Sequence, residues 1–453
     1  MPVSARALYD WHARPGAFER LTPPWEDTRV VSRTGGFADA DIELRMRVGP
    51  FRTRWHARHE GHEEGRWFRD RQVSGPFASW VHTHRFEPAA EGSRLVDHVE
   101  YALPFGGPMV AGAIARKIER AFRFRHRRTR EDLMLHANHP PLRVAITGVS
   151  GLVGRQLCAL LESGGNTVLR LVRHPPGPGE ARWDPAAGEI DAAALEGLDA
   201  VVHLAGESIA RRWTAAQKAK VLRSRKDATR LLAGALARLD RRPGVLLSAS
   251  AVGFYGSRGD EVLTEASPPG SGFLSDVCRA WEEATAPAEA AGIRTVRMRL
   301  GVVLSARGGA LPQLLPPFRI GLGGPLGSGR QFFPWVAMDD VLGAVLHLLR
   351  TDVSGPVNVT APEPVRQAEF ARTLGKVLHR PAVIPTPAFA VKLLFGQMGE
   401  EVLLGGQRAV PSRLLESGYV HLRPDLADAL AFELGADEPV RTGASPGPSP
   451  RSP

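Results

Sequence analysis

The stretch Arg143-Val-Ala-Ile-Thr-Gly-Val-Ser-Gly-Leu-Val-Gly154 decides how the chain is to be read. The four residues after Arg143 are apolar or β-branched, the composition of a strand buried on both faces. Gly148, Gly151 and Gly154 follow, and Leu157, Leu160 and Leu161 then recur at helical spacing. Each glycine meets a separate need: a tight turn, close approach of backbone to a pyrophosphate, and close packing of helix on strand. The free N–H groups of the helix N-terminus then face the phosphates. Glycines at this spacing are a weak signal alone, but between a strand and a helix they predict a dinucleotide site. Gly148, Ser150, Gly151, Leu152, Val153 and Gly154 form its expected phosphate side.

Downstream of this stretch, apolar strands alternate with amphipathic helices, the order of a parallel α/β sheet. The strand candidates are residues 142–147, 167–172, 200–204, 245–250 and 295–303, and residues 365–434 read as helical. Upstream the pattern differs. A short helix at 5–11 precedes six strand-like stretches, and a long helix at about 108–136 closes the unit. Ile42, Leu44, Met46 and Val48 alternate with Glu43, Arg45 and Arg47, as in a half-buried antiparallel strand. This order predicts a curved sheet gripping the long helix around a cavity. Pro140-Pro141 stops that helix. The expected organisation is an α+β unit at 1–138, a Rossmann-type parallel sheet at 142–364, a helical segment at 365–434 and a disordered tail at 436–453. A unit of 138 residues is long enough to bury a core of its own.

Composition excludes several classes. The 453 residues are 43% apolar and 23% charged, an ordinary globular balance. No apolar run approaches the roughly 18 residues of a membrane span. The N-terminal residues lack an apolar signal core, so a cytoplasmic location is expected. Two isolated cysteines, Cys158 and Cys278, exclude a disulfide framework or a cysteine zinc site. The net charge of +10 includes a dense run from Arg116 to Arg130. No groove-reading motif accompanies it, so nucleic acid is not expected, and the run reads as the solvated face of a helix.

The motif order Thr147-Gly-x-x-Gly-x-x-Gly154, Asp199-Ala-Val-Val-His-Leu-Ala-Gly206 and Ser248-Ala-Ser-Ala-Val-Gly-Phe-Tyr-Gly256 resembles that of extended short-chain dehydrogenases/reductases. Leu204-Ala-Gly-Glu207, Arg212-Trp-Thr214, Ser224-Arg225, Gly272-Phe-Leu-Ser275 and Gln331-Phe-Phe-Pro-Trp335 resemble the atypical branch labelled "epimerase family protein". Residues 1–138 resemble a helix-grip lipid-transfer or cyclase-like domain, through Leu21-Thr-Pro-Pro-Trp25, Gly75-Pro-Phe77 and the element order. The resemblance implies an NAD(P)-dependent oxidoreductase or epimerase-like enzyme acting on an unidentified small molecule, with an apolar-ligand domain in front. The alternative is a non-catalytic cofactor and ligand sensor.

The acid that accepts from the ribose hydroxyls of NAD is absent here. Its position falls at Val172, followed by Arg173, which favours the 2′-phosphate of NADP. By the resemblance, Leu204, Ala205 and Gly206 line the adenosine side, Arg225 reaches the cofactor from its helix, and Ser248 borders the site. Ordinary members use Tyr-x-x-x-Lys, in which the ammonium lowers the tyrosine pKa. Ser250 occupies the serine position on the preceding strand. The Tyr and Lys positions fall on Leu274 and Cys278 in one register, or on Ser275 and Arg279 in the other. Neither restores the pair. Tyr255 reads as structural.

Other constellations are weaker. His59-Glu-Gly-His62 lacks the spacing of a helical zinc motif. Trp80, His82 and His84 share one strand face and, with His98 on a neighbouring strand, read as lining a polar cavity, with no metal expected. Asp70 reads as paired with its flanking arginines. Asp339-Asp340 reads as a helix N-cap.

Overall fold

In the computed structural model, which describes residues 1–48, 51–104 and 108–436, the quoted stretch forms the strand Arg143–Thr147, running directly into the helix Leu152–Ser163. Alternate residues of the strand face opposite cores. Val144 and Ile146 pack with Leu157, Leu160 and Leu161, whereas Ala145 packs with Leu232 and Leu236 of the helix Ala215–Ala237. Neighbouring strands divide in the same way, with Val202 and Leu247 in one core and Val201 and Leu246 in the other. Burial on both faces explains why these strands read as continuous apolar runs.

The sheet has eight strands. From one edge they are Glu189–Ile190, Glu180–Asp184, Thr167–Val172, Arg143–Thr147, Ala200–His203, Val245–Ala251, Arg294–Leu300 and Gly355–Val359. All run parallel except the antiparallel first pair. Strand order reverses beside Arg143–Thr147, creating the crevice in which α/β sheets bind ligands. The two edge strands at 180–190 went unread in the sequence because they are short and polar. The expected strand at 295–303 is two strands, Arg294–Leu300 and Val302–Leu304, in different sheets. The segment 365–434 carries helices, including Gln367–Val377 and Leu426–Leu434, and also short strands at Val365–Arg366 and Arg408–Ala409. The expected tail lies almost wholly outside the described residues.

The N-terminal unit is a six-stranded antiparallel meander in chain order, spanning Arg29–Thr34 to Gly92–Ala102, with the long helix Pro108–His136. A second short helix, Ala17–Leu21, was not visible in the sequence. The long helix ends where Asn138 adopts a φ of 61°, a left-handed turn that asparagine tolerates, ahead of Pro140-Pro141. Among the described residues no helix is long and apolar enough to cross a membrane.

The arginine run is a solvated face only in part: Arg116, Lys117, Arg123 and Arg130 are exposed, and the others dock. Arg128 is buried and pairs with Asp339. Arg120 and Arg125 donate to the carbonyls of Gly435 and Leu21, and Arg127 pairs with Glu131 and Asp428. Nor is Asp339-Asp340 an N-cap. Ala337 caps the helix Met338–Arg350, and both aspartates lie in its first turn, buried. Asp339 sits among three guanidinium groups: Arg128 of the long helix, Arg20 at 4.0 Å and Arg423 at 3.7 Å. Arg20 also grips Asp132 through two bonds of 2.7 and 2.6 Å, and Arg423 pairs with Glu131 at 2.7 Å. Asp340 accepts the N–H groups of Leu422 and Arg423 at 2.6 and 3.0 Å. The N-terminal unit, the Rossmann sheet and the C-terminal segment therefore meet at one buried ion cluster.

Removing one member of such a cluster strands its partners. Asp339→Ala is expected to cost about 3–5 kcal/mol, read as a lower urea midpoint at an unchanged slope. A change below 1 kcal/mol would contradict the assigned role. Glu433, also buried, accepts the Ala306 N–H at 2.8 Å; burial, with Asp339 adding to it, pushes its carboxyl up to about 7. The folded state thus holds this proton where the unfolded chain has released it. Stability falls as pH rises from the ordinary glutamate range toward neutrality. Glu433→Gln removes that penalty, so its stability relative to wild type should improve by about 1–3 kcal/mol between pH 5 and pH 8. A difference that does not change with pH would refute the assignment.

Candidate functional site

Gly148 turns the chain at a φ of 72°, and any Cβ there would stand 2.8 Å from the Leu204 carbonyl carbon. Gly154 packs so closely on the turn that a Cβ would lie 2.3 Å from the Gly148 oxygen. Gly151 is different. It is exposed, has an ordinary φ of −74°, and a Cβ would meet only the Gly148 oxygen at 3.0 Å. Space beside Gly151 is therefore kept for something outside the fold. It is also the N-cap of its helix and offers no side-chain cap, which leaves the first-turn N–H groups, from Leu152, Val153 and Gly154, available to a ligand. Ser150 lies in the turn itself, exposed.

The opposite wall of the turn is held by residues that the sequence reading missed. Thr147 Oγ1 accepts the N–H groups of Leu204 and Ala205 at 3.1 and 3.2 Å. Its proton is then free to go to His203 Nδ1 at 2.7 Å, and His203 Nε2–H to Thr229 at 2.9 Å. Burial lowers the His203 pKa to about 4, keeping the ring neutral as this chain requires. Polar residues ending two adjacent strands were the available signal. Val172 is buried at the end of its strand, and the exposed Arg173 follows with no acid between them. The Arg225 guanidinium lies over Gly206 and 4.9 Å from the Trp281 ring centroid, and donates to the carbonyls of Glu207 and Val221 at 2.9 and 3.3 Å. Among the described residues it has no carboxylate in ion-pair range, an arrangement suited to an incoming anion.

The strand Val245–Ala251 carries Ser248 and Ser250, both buried. Ser250 donates to Glu282 Oε1 at 2.7 Å. Glu282 is held by Arg299 through bonds of 2.8 and 2.9 Å, and Arg299 donates to the Tyr255 hydroxyl at 2.9 Å. Tyr255 in turn donates to Asn358 Oδ1 at 2.7 Å. Tyr255 is thus a structural link in a buried hydrogen-bond chain that runs from Ser250 to Asn358. The Ser250 hydroxyl already donates to a carboxylate that Arg299 also binds.

The geometry also chooses between the two registers. A Cβ at Gly253 would meet Leu274 Cβ at 3.2 Å and Cys278 Sγ at 3.9 Å, so these two side chains face the strand end. Ser275 bonds the carbonyls of Phe254 and Gly270, and Arg279 is exposed and pairs with Asp276. Burial pushes the Cys278 thiol up to about 12, so it is neither a base nor a thiolate nucleophile at neutral pH.

An open parallel sheet with a glycine turn at its switch point and a bare helix N-terminus defines a dinucleotide-binding protein. The family follows from similarity. Residues 144–360 match the NAD dependent epimerase/dehydratase family, residues 1–125 a polyketide cyclase/dehydrase and lipid transport family, and residues 386–433 a domain of unknown function. An epimerase family protein of Mycobacterium bovis is 44% identical over 292 residues, covering 64% of this chain and 96% of the relative. The crystal structure of a nucleoside-diphosphate sugar epimerase from Corynebacterium glutamicum is 36% identical, with a TM-score of 0.80, covering 96% of this chain and 89% of that one. The human epimerase family protein SDR39U1, solved with NADPH, is 39% identical with a TM-score of 0.60, covering 65% of this chain and 99% of that one. The chain belongs to the NAD dependent epimerase/dehydratase family, in its epimerase family protein branch.

The glycine geometry separates ligand space from packing. Gly151→Val should weaken NADPH binding at least about tenfold, the equivalent of 1.4 kcal/mol, with little change in Tm. Gly154→Ala should lower both. Titration of nicotinamide fluorescence, beside a thermal melt of each variant, checks this; equal behaviour of the two variants would contradict it.

Proposed function

We propose that this protein is an NADP-dependent oxidoreductase of epimerase-like fold whose hydride step proceeds without a lysine-activated tyrosine. The observation that carries the proposal is the pairing of an open glycine turn with Leu274 and Cys278 facing the end of the Ser250 strand. The cofactor, when bound, supplies hydride chemistry. The NADPH in the human relative's structure supports the choice of cofactor, as do Val172 and Arg173 at the ribose position.

The chain's own residues limit the substrate. Reduction of a simple ketone leaves a strongly basic alkoxide, which needs a proton donor in the transition state. Ser250 is not placed to provide one, since its hydrogen is given to Glu282, which Arg299 also binds. A conjugated acceptor, such as an enone, spreads the charge into an enolate and needs far less acid. The N-terminal unit would hold an apolar ligand against the aromatic group Trp55, Phe77, Trp80 and Tyr101. No contact with nucleic acid is part of this reading. A second reading, a non-catalytic NADP(H) and ligand sensor, draws on the same replaced Tyr/Lys pair and on the ion cluster that ties the units together.

The cofactor assignment has a direct test. Wild type should bind NADPH at least about tenfold more tightly than NADH, and Arg173→Ala should lose about ten- to hundredfold in NADPH affinity, as for one charge-assisted phosphate contact. Equal affinities in wild type would overturn the choice of NADP.

A further inference from the structure

The concave face of the N-terminal sheet carries a polar cluster that the cofactor site does not use. Asp70, His82 and Asp97 lie on three consecutive strands, Trp67–Ser74, Ser79–Ala89 and Gly92–Ala102. The register sets Asp70 opposite His82, and His84 opposite Asp97, so all four side chains share one face. Asp70 is therefore paired with histidines and not with its flanking arginines. His98 is on the other side of its strand, exposed, beside Glu100.

Three donor atoms converge there. Asp70 Oδ2 is 3.2 Å from His82 Nδ1 and 3.7 Å from His84 Nε2, and the set lies within 4.8 Å. This is the spread expected of three ligands each about 2.0–2.2 Å from a single ion. The other face of each ring is backed by one carboxylate. His82 Nε2 lies 3.1 Å from Asp97 Oδ1, so that with its proton on Nε2 the ring would turn the Nδ1 lone pair toward an ion beside Asp70. His84 Nδ1 lies 2.7 Å from the same oxygen, off the line of a hydrogen bond, and is a buried nitrogen with no hydrogen-bond partner. Asp97 is itself fixed by His126 Nε2 at 2.5 Å on its second oxygen. A carboxylate behind the histidines, orienting the rings and fixing their tautomers, is how proteins hold metal-binding imidazoles.

Charge argues the same way. Two carboxylates taken out of water need compensation, and a divalent ion would supply it. Asp70 and His126 keep 19% and 42% of their side chains exposed, giving the ion a way in. Phe68 stacks on His84 with centroids 4.1 Å apart, and Phe122 stands edge-on to His82 at 5.0 Å, which fixes the rings in place.

We propose that Asp70, His82 and His84 form a binding site for one divalent first-row transition-metal ion, zinc or iron(II) by donor type, with Asp97 and His126 positioning the ligands. Two imidazoles and one carboxylate leave coordination positions open, as in sites that bind water or a substrate oxygen.

The test uses the full chain, stripped with EDTA and desalted, with Zn²⁺ followed by calorimetry and Co²⁺ by visible absorption. Wild type should take up one ion per chain, develop Co²⁺ d–d bands and show a Tm rise with Zn²⁺ that EDTA reverses. His84→Gln and Asp70→Asn should weaken binding at least about a hundredfold, and Asp97→Asn about ten- to hundredfold. His98→Gln should leave it unchanged. Wild type keeps the test decisive even if a ligand variant fails to fold: no Co²⁺ band and no Zn²⁺-dependent Tm shift at 100 µM metal (about 5.5 kcal/mol of binding free energy) overturns the proposal. So does a folded His84→Gln that binds like wild type, since the ion then sits elsewhere.

Discussion

The N-terminal unit, the cofactor sheet and the C-terminal segment come together around the carboxylate of Asp339. Its carboxylate is buried in the first turn of the helix Met338–Arg350, and the guanidinium groups around it come from residues 20, 128 and 423. A charge in that position is tolerable only while it is paired, so each part of the chain is held by the cost of leaving the others unpaired. Asp340 extends the constraint by binding the backbone of Leu422 and Arg423. The helix Pro108–His136 that closes the N-terminal unit is also the surface by which that unit docks. The cofactor sheet and the N-terminal unit are therefore joined through buried ion pairs.

Within the sheet, two kinds of residue have been treated differently. The glycine turn, the Thr147–His203–Thr229 chain and Arg225, which has no carboxylate partner among the described residues, shape a crevice that would suit a dinucleotide. Beside the end of the Ser250 strand stand a leucine and a cysteine whose thiol burial pushes up to about 12, and Ser250 itself is tied into a chain ending at Asn358. This chain fastens three strand ends and the helix Phe273–Glu283 together. It stabilises the site's floor and leaves the chemistry to the cofactor and the substrate.

How much of this could be read from the sequence depended on distance along the chain. The strand–turn–helix at 143–163 was legible because its signal is local: apolar run, glycines, helical leucines. The strand at 41–48 was legible from alternation alone. The Asp339 cluster was not, since its partners lie hundreds of residues apart and nothing local distinguishes a docked arginine face from a solvated one. Asp70 was misread for a related reason. Its flanking arginines are its nearest neighbours in sequence, but strand pairing sets it against His82, and only the register shows that. The choice between Leu274/Cys278 and Ser275/Arg279 was open until a helix orientation fixed which side faces Gly253.

The central claim is that the cofactor site works without the usual proton donor. Stopped-flow oxidation of bound NADPH, in a single turnover across a panel of saturated ketones and conjugated enones, tests it most directly. The account predicts NADPH oxidation with an enone and, at equal saturation, reduction of saturated ketones slower by about 10²–10⁴-fold, the usual worth of general acid catalysis. Rapid reduction of an ordinary ketone would contradict it, by requiring a proton donor that Ser250, Leu274 and Cys278 do not provide; no oxidation with any acceptor would leave the sensor reading in its place.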